Sequence, residues 1–285
     1  MEDGRIGEDD AAHALEAEAR RNRETRARNR AAEEARARTG QKPLVRWAKW
    51  AAEPRGAAVH AVRLARQRRR RAGAIAAYLD GPGFKGVHVG CGPFLLPGWQ
   101  NTEFFHPRPF FRGLTAQERA VDFHLDITEP LPYPDASLDA IFAEEVIEHV
   151  PVPGAETFLH EARRVLRPGG TLRLTTPDAR GIARVFAGAA PDVRVEDFEP
   201  FWLNPYWSED HWLNGNFRYY GHQHLYSFEG LSEALRAAGF ADIVRLSVGE
   251  TASGRAELAG LERHSVRPPE VVRIMRETRM IVEAR

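Results

Sequence analysis

The sequence predicts an α/β chain: a mostly parallel β-sheet flanked by helices, preceded by a helical N-terminal extension. Two observations carry this. From Gly86 onward, short apolar runs alternate with helical patterns, the rhythm of strands joined by crossover helices. The first apolar run also ends in the turn Gly90-Cys91-Gly92, where a parallel sheet brings ligands close to its backbone.

Taken in order, strands are expected at 86–90, 100–104, 120–125 and 137–145. A helix over 154–166 stops at "RPGG", because Pro168 cannot continue it and Gly169 and Gly170 make the turn into the strand "TLRLTTP". A short helix near 178–187 follows. The rhythm then breaks over about 190–228, a stretch crowded with aromatics and histidines that reads as a cap or insertion. Order returns with the amphipathic helix "FEGLSEALRAAGF", the strand "ADIVRLSV" and a last alternating segment, "RMIVEAR".

Upstream of the sheet the composition changes. Residues 1–40 carry nine Arg and ten Asp or Glu with few large apolar side chains, and read as a solvated helix or disordered chain. The basic extension, 41–80, opens with "LVRWAKW" at helical spacing, which Gly56 is expected to end before a second helix runs to the Gly81-Pro82-Gly83 break. Within it, residues 41–71 hold ten Lys or Arg against Glu53 alone, although the whole chain has zero formal net charge. The domain proper is expected over 81–285.

Composition excludes several classes. With 285 residues and 43% hydrophobic content the chain can bury a sizeable core. A single cysteine, Cys91, allows neither an internal disulfide nor a multi-cysteine zinc site. No run of 18 apolar residues exists and the N-terminus is acidic and polar, so a cytoplasmic location is expected.

The stretch "FKGVHVGCGPFLLPGWQNTE" holds the candidate site. It begins like a dinucleotide fingerprint but lacks the third glycine. Its acidic residue, Glu103, arrives 11 positions after Gly92 where a dinucleotide fold has about 20. A pyrophosphate would want a helix N-terminus across the turn, and "PFLLPGW", with two prolines, leaves almost no room for one. A carboxylate at the end of the second strand can instead accept hydrogen bonds from both hydroxyls of a ribose.

"VHVGCG" with "NTE", then "LDITEPLPYPDASLDAIFAEEVIEHV" and "FLHEARRVLRPGGTLRLTTPD", resemble the successive motifs of class I S-adenosylmethionine-dependent methyltransferases. The variant most similar is a bacterial subfamily of predicted methyltransferases in which a GCG turn leads directly to PGW-x-N and an acidic residue. The resemblance covers roughly residues 84–285. It implies a Rossmann-like seven-stranded sheet of order three, two, one, four, five, seven, six with a reversed final strand, and S-adenosyl-L-methionine as cofactor. It further implies that Gly90 and Gly92 lie under the methionine and ribose, that Glu103 holds the ribose, that Asp126 and Ile127 lie against the adenine, and that the backbone of Glu144 lines the methionine end. Bland readings stand beside three of these: the glycine pair could be an ordinary tight turn at a strand end, Glu103 a surface carboxylate, and Asp126 the cap of a short turn ahead of Pro130.

The methyl-transfer base is less legible. In "EEVIEHV", Glu145 and His149 would share a face if the segment is helical, and either could take a proton from an acceptor; alternatively Glu148 and His149 merely finish that helix. His222 and His224 in "GHQHLY" are further candidates. Their spacing is a weak metal signal, and no metal is expected. With Trp207, Trp212, Tyr219 and Tyr220 they form either an acceptor pocket or an aromatic mini-core.

The resemblance suggests a small-molecule or cell-surface glycan acceptor, methylated on oxygen. Two other readings stay open: a non-catalytic binding or scaffold protein, and a nucleotide-sugar or NAD enzyme on the same sheet. The basic run at 41–71 reads first as a solvated helix face, and with Trp47 and Trp50 it also suits contact with an acidic polymer or the inner membrane face. Nucleic acid is the weaker partner, since no RNA-reading module accompanies "RQRRRR".

Overall fold

The computed structural model describes residues 16–17, 19–28, 31, 54–104, 120–201, 206–219, 221–262 and 269–285. The expected helix around Trp47 and Trp50 lies outside them.

Helix α1 spans Pro54–Asp80. Proline suits this start, where its missing N–H costs nothing, and Gly56 falls inside the first turn of the helix, so it does not act as the predicted stop. At the other end the Lys85 ammonium donates to the carbonyls of Tyr78 (2.8 Å) and Gly81 (2.5 Å), satisfying groups that a helix C-terminus leaves open. The Tyr78 hydroxyl donates to Gly86 O and accepts from Gly86 N, both at 2.8 Å, which pins α1 to the first strand.

Seven strands follow: β1 (Gly86–Val89), β2 (Gln100–Glu103), β3 (Phe123–His124), β4 (Leu138–Glu144), β5 (Leu166–Pro177), β6 (Ile243–Leu246) and β7 (Arg279–Ala284). They line up as β3-β2-β1-β4-β5-β7-β6. β7 runs antiparallel to both neighbours while the β1, β2, β3, β4 and β5 pairings are parallel. This is the Rossmann-like sheet expected. β5 starts earlier than predicted, because Leu166 already pairs with Leu138 before a register shift. The "RPGG" turn is therefore an irregularity within the strand.

Alternation along the strands separates two faces. One carries Val87, Val89, Ile141, Leu172, Leu174 and Val282, which share a core with Ile75 of α1, with Phe158 and Leu159 of α2 (Val152–Val165), and with Leu231 and Leu235 of a helix at Phe228–Ala237. On the other face, Ala140 and Phe142 pack with Trp99 and Leu258, flanked by Leu96. No helix forms between β1 and β2, as the two prolines predicted, so Trp99 and Leu96 cover part of that face.

The opposite face also buries charge. Arg173 of β5 is fully enclosed and bonds Glu262 at 2.7 Å and Glu283 of β7 at 2.6 Å. Glu283 in turn accepts from Thr251 Oγ1 and Ala252 N. This network fastens the 247–262 segment to the sheet.

Helix α3 (Ala179–Phe186) is the short helix expected before the insertion, and the insertion itself contains a 3-10 turn (Val195–Phe201), α4 (Glu209–Asn214) and a π-helical turn (Gly215–Tyr219). Trp212 is buried among Ile182, Val185, Val193, Val195 and Ile274, with Phe198 and Trp207 packed against the group. For Trp207 and Trp212 the mini-core reading holds. Tyr220 and the side chain of Tyr219 lie outside the described residues. Residues 19–28 are helical and touch the insertion, with Asn22 donating to Pro200 O at 3.0 Å and Arg26 pairing with Glu199 at 3.1 Å. A helix at Pro269–Thr278 was not anticipated, although buried Val271 and Ile274 stand at helical spacing.

Candidate active site

A cleft of about 640 Å³ opens at the carboxyl ends of β1, β2 and β4, where open α/β sheets bind ligands. It brings together Gly90, Glu103, Asp126, Ile127, Glu145 and His149.

The glycine turn forms its floor. Gly90 has φ +62 and Gly92 φ +55, conformations that side chains disfavour. A Cβ on Gly90 would lie 2.5 Å from Val146 Cγ2, so that position excludes even alanine without repacking. Cys91 points away and is 3% exposed. Burial, then the nearby Glu103 carboxylate, pushes its thiol up to about 12, so it packs and does not react.

Glu103 ends β2 and is held from two sides. Oε2 accepts from Gly92 N at 2.8 Å and Oε1 from its neighbour Phe104 N at 2.7 Å. Each oxygen of a carboxylate has room for about two such bonds, so one acceptor position remains on each. The adjacent wall is apolar, with Leu125 and Ile127 in the main core. Asp126 also faces the cleft, and its Oδ1 accepts from Thr128 N (2.9 Å) and Thr128 Oγ1 (2.7 Å). The capping reading thus describes its local geometry while leaving Oδ2 available.

At the end of β4 the Glu144 side chain is 4% exposed, and the side chain that lines the cleft is that of Glu145. Glu145 has φ +56, rare for a residue with a side chain and typical of functional positions. Its N–H bonds Thr175 O at 2.8 Å and its Oε2 accepts from Arg279 Nε at 2.9 Å. The segment beyond is a 3-10 turn, Ile147–His149, and not the regular helix that would have stacked Glu145 over His149. Both side chains reach the cleft nevertheless.

Glu148 is fully buried. Its Oε2 accepts from Thr176 Oγ1 at 3.0 Å. Burial first, and then the Glu145 charge, raises its carboxyl to about 8. Burial also lowers His149, helped by neighbouring His222, and burial lowers His222, so both imidazoles favour the neutral form. A neutral imidazole at the cleft can accept a proton.

His222 stands behind His149, with ring centroids 4.8 Å apart. Long-range hydrogen bonds put it there: Gln223 N (2.7 Å) and His224 N (3.3 Å) donate to Glu148 O, and Gln223 Nε2 donates to His149 O at 2.7 Å. His224 is exposed, edge-on to Tyr226, and His211 bonds Ser208, so the histidines of the insertion are dispersed.

Comparison with known proteins bears on this site. Residues 109–174 match the family model described as a methyltransferase domain. Over 93 residues the chain is 46% identical to the 27-O-demethylrifamycin SV methyltransferase of Amycolatopsis mediterranei, covering 29% of this chain and 33% of that protein. It is 44% identical over 67 residues to an uncharacterised 37.1 kDa transposon protein of Streptomyces fradiae, covering 24% of this chain and 19% of that one. The chain thus spans about a third or less of these curated relatives. Among solved structures, an S-adenosylmethionine-dependent methyltransferase of Mesorhizobium loti aligns with TM-score 0.41 and 18% identity, over 74% of this chain and 95% of that one. The segment that matches the methyltransferase domain runs through β3, β4 and α2 into β5, and supplies Asp126, Ile127, Glu145 and His149 to the cleft.

Proposed function

We propose that the protein transfers a methyl group from S-adenosylmethionine to a small-molecule acceptor, on oxygen. The observation that carries this reading is Glu103, tethered by the Gly92 and Phe104 amides with an acceptor position left on each oxygen, beside a turn whose Gly90 has no room for a side chain. A ribose with two adjacent hydroxyls fits that carboxylate, and the Leu125–Ile127 wall fits an adenine, whose amine Asp126 can accept. The absence of a helix after the turn disfavours a dinucleotide.

Bound there, the cofactor supplies an electrophilic methyl group on a sulfonium. Glu103 orients the ribose, Gly90 lets the methionine end approach the backbone, and Gly92 shapes the turn. Glu145 and His149 line the acceptor end, where an oxygen nucleophile must lose a proton as it is methylated. The rifamycin relative, named for a demethylated oxygen on a small molecule, supports this acceptor class. A glycan acceptor, and membership of the subfamily marked by GCG followed by PGW-x-N, are finer forms of the same proposal. Contact of residues 41–71 with an anionic membrane is a further part of it, with Arg69 and Arg70 exposed on α1. Among the described residues no helix is long and apolar enough to cross a membrane.

Calorimetric titration with S-adenosylmethionine, S-adenosylhomocysteine and NAD tests the reading. Saturable binding of the first two and none of NAD is expected. The reverse order of affinity would move the protein to the nicotinamide class, and binding without turnover on a broad acceptor panel would make it a binding protein.

A further inference from the structure

We infer that Glu148, His149 and His222 form a binding site for a divalent transition-metal ion such as Zn²⁺ at the acceptor end of the cleft. One ligand atom from each, two imidazole nitrogens and a carboxylate oxygen, lies within 4.8 Å of the others. Two imidazoles and a carboxylate are the donor set of open zinc sites, which keep a fourth position for water or substrate. Bonds of about 2.0–2.1 Å would set tetrahedral ligand atoms ~3.3 Å apart, so closing around an ion needs side-chain shifts below about 1 Å.

Three independent features hold the donors ready. Glu148 Oε1 is buried with no hydrogen-bond partner and lies 4.0 Å from His149 Nε2, while Oε2 is fixed by Thr176. A sealed carboxylate oxygen left in this state is costly, and a cation would satisfy it. His222 Nδ1 bonds Asn216 O, which assigns its proton to Nδ1 and its lone pair to Nε2. His149 Nδ1 lies beside Gly221, and its Nε2 is turned towards Glu148. An outer contact on each ligand is what metal sites use to set tautomer and orientation. Asn216 lies within the π-helical turn, and such turns recur at functional sites.

His149 also lines the cleft, so the open coordination position would face the acceptor. There an ion would polarise the acceptor oxygen, occupy the His149 lone pair, and leave Glu145 as the group that takes the proton. This role rests on the methyl-transfer reading; the site itself does not.

The full chain, stripped with a chelator, is titrated with Zn²⁺ alone by calorimetry and with Co²⁺ by its visible absorption. One ion per chain is expected. His149→Gln and His222→Gln should each weaken binding by at least about 10–100-fold, the loss typical of an outer contact alone, whereas His224→Gln should leave it unchanged. Absence of saturable binding, or affinity unchanged from the unmodified chain in both ligand variants, overturns the site. A measurement on the unmodified chain guards against misfolded variants: the Co²⁺-loaded protein should show two hyperfine-shifted imidazole N–H resonances, and none or one contradicts the assignment. S-adenosylhomocysteine affinity on the same preparation separates the two ideas. Its binding without metal binding removes the metal site only, and metal binding without it removes the functional reading only.

Discussion

Replacing Glu103 with alanine removes one side chain with two separable duties, which makes its effect calculable. The carboxylate accepts one backbone N–H on each oxygen and has one acceptor position left on each for the ribose. Hydrogen bonds to a charged group contribute about 1.5–3 kcal/mol each, so losing two from the ligand costs about 3–6 kcal/mol. At tenfold per ~1.4 kcal/mol, S-adenosylhomocysteine affinity should fall roughly 10²–10⁴-fold. Phe104 borders the cleft and is exposed, and the space beside Gly92 is open, so water can replace the carboxylate. The stability cost should be no more than about 1–2 kcal/mol, a fall of several degrees in Tm. Calorimetry with the product cofactor, paired with a thermal melt, reads both. A variant that melts several degrees lower yet binds with unchanged affinity would refute the assignment of the ribose to this carboxylate.

Other consequences follow from the same geometry. Gly90→Ala should lose both stability and cofactor affinity, from left-handed strain of about 1–2 kcal/mol plus the collision with Val146; adding Val146→Ala should restore part of the stability, and full affinity in the single variant would show that the floor is not tight. Cys91, raised to about 12, keeps its proton at neutral pH. Labelling by a disulfide reagent should be very slow in native protein at pH 8, accelerate about tenfold per pH unit above it as thiolate forms, and become immediate in denaturant; rapid native labelling would mean that the turn opens. Arg173→Met leaves Glu262 and Glu283 buried without their cation and should destabilise the protein by about 3–5 kcal/mol in a denaturant melt, whereas an unchanged midpoint would show that water reaches the network. Liposome flotation of full-length protein against a chain beginning at residue 72 should show recovery with anionic vesicles only for the former, and equal recovery removes the membrane contact.

Much of the sheet was legible because its signals are local. Apolar runs such as Val87–Val89 and Ile141–Ala143 are buried on both faces and read as parallel strands from composition alone. The glycine turn, Glu103 and the missing helix in "PFLLPGW" were visible for the same reason, since backbone freedom and proline act within a few residues. The catalytic end was not. Glu145 enters the cleft through a left-handed backbone that no residue type announces. His222 reaches His149 because Gln223 and His224 bond Glu148 across more than 70 residues, a contact without periodicity. Of the His-x-His pair, half-buried His222 packs against His149 while exposed His224 faces solvent, a difference that the spacing does not carry. The helix at Pro269–Thr278 carries a signal in its Val271–Ile274 spacing, but it is short and follows a charged stretch, which leaves its periodicity weak.

The most direct test is a crystal structure of the protein with S-adenosylhomocysteine. The account predicts both ribose hydroxyls within hydrogen-bond distance of the Glu103 carboxylate, the adenine against Ile127, and the sulfur over Gly90 with Glu145 and His149 beyond it. A nucleoside seated elsewhere, for example in the cavity lined by Arg245, Arg276 and Arg279 near β6 and β7, would contradict it.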